Sequence, residues 1–393
     1  MNISFLLEPK IQQFINENLN TDIQKLALKK NPFPEYDWKL IINQIHAKQK
    51  AQNKLPTWFK TENIIFPTSL SIEQTSSEPL AQFKSNLVSG NKLIDLTGGF
   101  GIDAYYFAKQ FNEVYHCEFN EELSEIVTLN TKSLNVNNIK TFKGDSLETL
   151  ESLNETFDWI YIDPARRSDT KQKVFLLKDC TPNVPENLEI YFKFSDHILI
   201  KTAPILDISA GIEELNFVKK IYIISLENEV KELLWILEKD YKKTIELEAV
   251  NIDKQGNTTS FKCELEDDFS CNYHLPEKYL YEPFSSVMKT GNFNKIANTF
   301  NLDKLHQHSH LYTNENLIDF PGRRFEIESI IPYQKKEMKA TFENQKFNIS
   351  IRNFPISVEE IRKKWKIKDG GSKFVFFTTD IQNEKIAIIC NKI

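Results

Sequence analysis

Leu93-Ile94-Asp95-Leu96-Thr97-Gly98-Gly99-Phe100-Gly101-Ile102-Asp103 is the stretch that decides how this chain folds. An apolar strand runs into an acid. A turn follows that holds Gly98, Gly99 and Gly101, and Ile102 to Gln110 then has a helix-like pattern. Glycine has no Cβ and tolerates positive φ, so a turn of this kind lets backbone approach a bound ligand closely. The same glycines also serve plain packing in many strand–turn–helix units, so the meaning of this one depends on what recurs after it.

Three more strand ends follow. Val114-Tyr115-His116-Cys117-Glu118 is a short apolar strand ending in an acid, 23 residues after Asp95. An acid about 20 residues past a glycine turn, at the tip of the neighbouring parallel strand, accepts hydrogen bonds from ribose hydroxyls; a solvated acid at a strand end is the plainer reading. Lys140 to Asp145 is a third strand, ending in Gly-Asp. Asp145 is suited both to accept from an adenine amine and to cap the helix that Ser146 begins. Phe157 to Ile162 reads as a buried strand, and Asp163-Pro164 ends it, because proline biases the preceding residue away from helix and cannot continue a central strand. Together these strands set a row of carboxylates along one edge of a parallel sheet, where open α/β sheets bind ligands.

This series resembles the class I S-adenosylmethionine-dependent methyltransferases over roughly residues 91–263. The resemblance implies an α/β fold: a Rossmann-like, seven-stranded sheet, here with an N-terminal helical region and a small α+β C-terminal module. It implies that Asp95, Thr97, Gly98, Gly99, Gly101 and Asp103 surround the methionine part of the cofactor. Glu118 would hold the ribose, Asp145 and Ser146 would meet the adenine, and Asp163-Pro164 would face the substrate. Two positions depart from the family pattern. Thr97 stands where the first glycine of the turn is usual. Asp163-Pro164-Ala165-Arg166-Arg167 replaces Asp-Pro-Pro-aromatic, so the ring that would stack on a flipped base is missing. Arg166 and Arg167 offer planar forks suited to phosphate or to a base face, or else to surface ion pairs.

A dinucleotide dehydrogenase is the rival for this fold, with Gly99-Phe100-Gly101-Ile102-Asp103-Ala104 as its fingerprint and Ala104 standing for the last glycine. Against it stand the Asp-Pro strand end and the expected close of the sheet. Val218 to Ser225 reads as a sixth strand, after Asp196 to Lys201 as the fifth. Thr244 to Asn251 and Thr258 to Leu265 flank Lys254-Gln255-Gly256-Asn257 as an antiparallel hairpin, the methyltransferase pattern.

Bulk properties narrow the class. The chain has 393 residues, 40% of them hydrophobic and 26% charged, which suits two or three soluble domains. No apolar run approaches the length of about 18 residues that a membrane span needs, and the N-terminus has no basic-then-apolar leader. Five scattered cysteines argue for buried thiols in a reducing compartment, hence a cytoplasmic protein without a zinc site. His306-Gln307-His308-Ser309-His310 lacks a nearby cysteine or acid pair and reads as polar surface. The net charge of −6 is unevenly spread: residues 321–393 carry fifteen Lys and Arg against nine acids, leaving −12 for the rest. Much of the positive charge sits in Arg362-Lys363-Lys364-Trp365-Lys366-Ile367-Lys368. A basic stripe carrying an aromatic is a footprint of nucleic-acid contact, and equally of one solvated helix face.

A closer resemblance lies in Gln74-Thr75-Ser76-Ser77-Glu78, the glycine turn, Asp163-Pro164-Ala165-Arg166-Arg167 and Phe320-Pro321-Gly322-Arg323. The chain is similar to a bacterial family of uncharacterised methyltransferases with a ferredoxin-like insert and a C-terminal THUMP-like domain. That divides it into a helical region (1–75), a methyltransferase domain (76–270), a ferredoxin-like domain (271–320) and a THUMP-like domain (321–393). It implies S-adenosyl-L-methionine as cofactor and RNA, tRNA or rRNA, as substrate. On that reading the C-terminal module would dock RNA through Arg362 to Lys368, and an exocyclic base amine is one candidate target. The alternatives are a methyltransferase of a protein or small molecule, and a non-enzymatic RNA-binding protein that retains the fold.

Overall fold

The computed structural model describes residues 3–166, 176–265 and 269–393. The chain divides into two compact units, residues 1–219 with 234–242, and residues 220–233 with 243–393.

In the first unit, β1 (Gly90–Asp95), β2 (Phe111–Glu118), β3 (Ile139–Lys143), β4 (Trp159–Ile162) and β5 (His197–Thr202) run parallel in the order β5-β4-β1-β2-β3. Their buried runs are continuous, such as Ile160 to Ile162 and Ile198 to Ile200, as in strands covered on both faces. Register brings Asp95 opposite both His116 and Tyr161, and Glu118 opposite Lys143, so the carboxyl ends of four strands lie level. Four helices matter to the site: α1 (Glu78–Ser85), α2 (Ile102–Phe107), α3 (Glu121–Ser133) and α4 (Ser146–Leu153). Asn120 caps α3 through the Leu123 N–H at 3.0 Å. Ser77 is the N-cap of α1 by position but makes no side-chain cap bond.

The N-terminal helices share one core with the elements behind the glycine turn: Ile41, Ile45, Trp58 and Phe66 pack with Phe100, Ile102, Tyr106 and Ile126. Two buried amides serve the extended segment between them. Asn130 pairs with both backbone groups of Ile65, at 2.9 and 2.8 Å, and Gln44 accepts from the Phe66 N–H at 2.8 Å. Unpaired backbone would be costly to bury there.

Farther along lie β6 (Val218–Leu226), β7 (Glu229–Glu238), β8 (Glu246–Ile252) and β9 (Thr258–Glu264). β8 runs parallel to β6 and antiparallel to β9, which is the expected hairpin. Among the described residues the large mixed sheet has nine strands, against the expected seven. The strand that sequence pattern missed is β7. Its charged ends flank Leu233, Leu234, Trp235 and Leu237, all fully buried, a continuous apolar run that carries no period-2 signal. Glu227 and Asn228, at φ 50° and 66°, form the left-handed two-residue turn that leads into it.

The second unit also holds a seven-stranded sheet. β10 (Tyr279–Pro283), β11 (Asp303–Lys304), β12 (Tyr312–Asn314), β13 (Gly322–Pro332), β14 (Lys346–Ile351), β15 (Lys368–Thr379) and β16 (Lys385–Lys392) are ordered β11-β12-β10-β13-β16-β15-β14. All neighbours are antiparallel except β14 and β15. α5 (Lys335–Phe342) and α6 (Val358–Trp365) pack on it, and α6 begins at the Ser357–Glu360 capping box. Gly370 and Gly371 lie inside β15, at φ 90° and 91°, where its register with β14 shifts. They form a bulge there. Pro321-Gly322-Arg323 is structural. A Cβ on Gly322 would stand 2.2 Å from the Glu282 carbonyl oxygen. Arg323 Nε donates to the buried Glu282 carboxylate at 2.6 Å, and Arg352 pairs with its other oxygen at 2.6 Å. Trp365 is a core residue, 8% exposed, so the aromatic of the basic stripe is not available to stack on a base.

Candidate functional site

The β1–α2 turn is held from three sides. Asp95, 1% exposed, accepts from the Thr97 N–H at 2.9 Å and from its hydroxyl at 3.3 Å. The same hydroxyl accepts from the Asp163 N–H at 2.6 Å, so Thr97 joins the tips of β1 and β4. Gly98 donates to the Cys117 carbonyl at 2.8 Å, and Gly99, at φ 56°, donates to Glu118 Oε2 at 2.8 Å. Gly98 lies directly over the buried His116 ring: a Cβ there would be 2.3 Å from Nε2. Gly101, at φ 77°, sits at the N-cap of α2. Burial pushes the Asp95 carboxyl well above the usual carboxylate range, and nearby Asp103 and Asp163 push it the same way against the hydrogen bonds from Thr97. Burial holds His116 below the usual imidazole range, which makes it a neutral floor to the turn.

Beside the turn, Glu118 Oε1 accepts from the Asn120 N–H at 2.7 Å. A carboxylate has about four lone-pair sites, so both oxygens keep room for ribose hydroxyls. Asp145 Oδ1 caps α4 through the Leu147 and Glu148 N–H groups, at 2.8 and 3.0 Å, while Oδ2 has no partner among the described residues. Ser146 is the first residue of α4. Phe119, directly after Glu118, is 78% exposed. This open shelf of acceptors, an aromatic face and left-handed glycines has the donor–acceptor character an adenosine-type group needs.

A second cluster lies behind Asp163. Asp103 Oδ2 accepts from Ser76 Oγ at 3.0 Å and from the Tyr161 hydroxyl at 2.9 Å, and Oδ1 pairs with Lys84 at 3.0 Å. The Lys84 side chain is 0% exposed and also donates to Ser76 Oγ at 2.7 Å. Burial works against charge on Asp103. The ammonium groups of Lys84 and Lys201, with the hydrogen bonds from Lys84 and Tyr161, outweigh it and hold the carboxyl below the usual range. Lys201, at the end of β5, pairs with Asp163 Oδ2. Pro164 is buried, and Ala165–Arg166 pair antiparallel with Cys180–Thr181, leaving Arg166 exposed. Arg167 lies outside the described residues.

The structure therefore gathers Asp95, Thr97, Gly98, Gly99, Gly101 and Glu118 around one turn, places Asp163 against it through Thr97, and sets Asp145 and Ser146 at the tip of β3. Sequence reasoning missed Lys84, Tyr161 and Phe119. Lys84 and Tyr161 carry no local signal, since their partners come from other elements. Phe119 does carry one: a large aromatic follows the strand-end acid where a turn would favour a polar residue.

Over its whole length the chain is similar to a solved structure titled "putative methyltransferase from Porphyromonas gingivalis W83". The two share 30% identity and a TM-score of 0.88, with 100% of this chain and 99% of that one covered. The chain belongs to that methyltransferase family. Consistent with membership, residues 279–321 match a ferredoxin-like domain and residues 322–392 a domain described as THUMP domain-like, while residues 59–206 match the family described as Conserved hypothetical protein 95. Partial likenesses include a Pyrococcus abyssi tRNA (uracil-54, C5)-methyltransferase bound to S-adenosyl-L-homocysteine (21% identity, TM-score 0.31, 44% of this chain and 40% of that one). Another is M. capricolum TrmK with the same product (14%, TM-score 0.33, 41% and 68%). No curated protein matches the chain. Among the described residues no helix is long and apolar enough to cross a membrane.

Proposed function

We propose that this family member transfers a methyl group from S-adenosyl-L-methionine to a base of tRNA or rRNA in the cytoplasm. One observation carries the reading: Asp95, Glu118 and Asp163, from three strands, are bonded to a single glycine turn through Thr97 and Gly99. In this reading Glu118 accepts the ribose hydroxyls, Asp145 Oδ2 and Ser146 meet the adenine, Phe119 covers its face, and the Asp95–Asp103 turn surrounds the methionine end. When bound, the cofactor supplies an electrophilic methyl group.

The chain's own contribution is positioning. Lys201 engages one oxygen of Asp163 and orients the carboxylate. Oδ1 and the Pro164 carbonyl then accept the hydrogens of an exocyclic amine and direct its lone pair. Arg166 and Arg167 steady the phosphate or the base. The basic residues of Arg362 to Lys368 dock RNA, with Trp365 reserved for the core. The domains serve as a helical cover (1–75), a catalytic domain (76–270), a ferredoxin-like spacer (271–320) and a THUMP-like RNA module (321–393).

The test incubates the protein with radiolabelled S-adenosylmethionine and total RNA from a strain lacking it. Label in one RNA species, absent with Asp163→Ala while calorimetric cofactor binding persists, is the expected result. No label despite cofactor binding would move the acceptor to a protein or small molecule. No cofactor binding would leave a fold retained for RNA binding alone.

A further inference from the structure

The basic segment does not stand alone. Met338 and Phe342 of α5 and Ile361 and Trp365 of α6 enter one core with Val375, Phe377, Ala387 and Ile389, so the two helices cover the same part of the second sheet. Side chains from the end of α6 reach across to α5. Lys364 Nζ and Trp365 Nε1 both donate to the Tyr333 hydroxyl, just before α5, at 3.3 and 3.2 Å. Lys366 pairs with Glu343, just after α5, at 2.8 Å.

On α5, Lys335, Lys336 and Lys339 fall within about 100° of helix circumference, while Glu337 points to the other flank. These three lysines, Ala340 and Glu343 line an open groove of about 610 Å³. The acid in the groove is already engaged: Lys366 holds Glu343 at 2.8 Å and Lys339 approaches it at 3.9 Å. Lys335 and Lys336 are exposed, with no acidic partner among the described residues. By contrast Arg362, the first residue of the basic segment, is tied to Asp369 and to the Phe347 carbonyl.

We propose that this α5 groove, extended by Lys363, Lys364 and Lys366 of the adjoining α6 end, binds the phosphate backbone of RNA. The inference rests on the RNA reading above and moves the centre of docking from the basic segment to a helix that sequence did not single out. Among the described residues Lys335 and Lys336 have no acid of their own and Lys339 and Lys366 share one, so this flank carries an excess of positive charge that a polyanion relieves. As point charges they hold phosphates without reading bases. Neither helix exposes a large apolar side chain, which a membrane surface would call for.

The test measures binding of the full chain to a fluorescein-labelled polyuridylate oligonucleotide by anisotropy, between about 50 and about 200 mM salt. Each lost phosphate contact to a single strand lowers the log–log salt slope by about 0.7, so a Lys335→Gln, Lys336→Gln, Lys339→Gln triple variant should lose about 2 in slope and at least about tenfold in affinity at the lower salt. Glu337→Gln, on the far flank, should change neither. Wild-type slope and affinity in the triple variant, with RNA binding intact, overturns the groove and leaves the RNA reading standing. A rise in affinity with Glu337→Gln, about one third the size of the triple variant's loss, overturns it too, by showing that net charge alone is felt. If the wild type binds phosphatidylserine vesicles and no RNA, both the groove and the RNA reading fall.

Discussion

Lys84→Met tests the buried cluster most directly. The Lys84 side chain is 0% exposed, and its ammonium lies 3.0 Å from an Asp103 carboxylate that is itself 12% exposed. Methionine keeps the unbranched stem, so packing is roughly conserved and the charge is what goes. Removing one partner of a buried ion pair leaves the other uncompensated, at a cost of about 3–5 kcal/mol, a large share of the 5–15 kcal/mol that typically holds a protein folded. The cost depends on pH with a definite sign. In the wild type the Asp103 carboxyl is held below its unfolded value by Lys84 and Lys201 against burial. Its ionisation therefore contributes stability above about pH 4, which is lost as pH falls through the lower folded value. Without Lys84 the burial effect gains ground, so the penalty should be largest at neutral pH and shrink as the carboxyl protonates. Four of the five tryptophans, Trp38, Trp58, Trp159 and Trp235, lie in the first unit, so urea unfolding followed by tryptophan fluorescence reports on it. The double variant Lys84→Met, Asp103→Asn removes both charges and should recover at least about 2 kcal/mol of the loss. A single variant within about 1 kcal/mol of wild type at pH 7, or a double variant no better than the single, would refute the pairing as the source of stability.

Gly98→Ala puts a Cβ 2.3 Å from His116 Nε2 and 2.5 Å from Cε1, on a ring that is fully buried, so it should cost about 1–3 kcal/mol as overpacking does, with His116→Ala restoring part of it; an additive double variant contradicts the clash. Phe119→Ala removes a side chain already 78% exposed, so the melting temperature of the free protein should hold. Calorimetric affinity for S-adenosyl-L-homocysteine should fall by about 1–3 kcal/mol if the ring stacks on the adenine, and unchanged affinity removes Phe119 from the site. Glu282→Ala strands Arg323 and Arg352, whose side chains are 25% and 37% exposed and so partly rehydrate. We expect about 2–4 kcal/mol of lost protection in hydrogen exchange over β13, and less than about 1 kcal/mol would mean the clamp is not holding that strand.

What sequence revealed, and what it hid, follows from where each signal resides. The strand-end acids were legible because a parallel sheet repeats a local pattern, an apolar run and then an acid, at intervals set by the intervening helix. β7 was not, because full burial erases the alternation that marks a strand. Trp365 was misleading for the opposite reason. Its neighbours Arg362, Lys363, Lys364 and Lys366 are polar, yet it falls four residues after Ile361, and that spacing turns both toward the sheet. Thr97 shows the limit most clearly. Against the family pattern it is a flaw in the turn, a side chain where glycine is usual. In the fold its hydroxyl donates to Asp95 and accepts from the Asp163 N–H at 2.6 Å, so it joins β1 to the strand that ends in Asp-Pro. A glycine at 97 would leave the Asp163 N–H without that acceptor and Asp95 with one donor fewer. Flexibility given up at position 97 remains available at Gly98, Gly99 and Gly101. The departure therefore exchanges one permissive residue in the turn for a fixed link between the Asp95 carboxylate and the Asp163 backbone, a link that positioning catalysis would depend on.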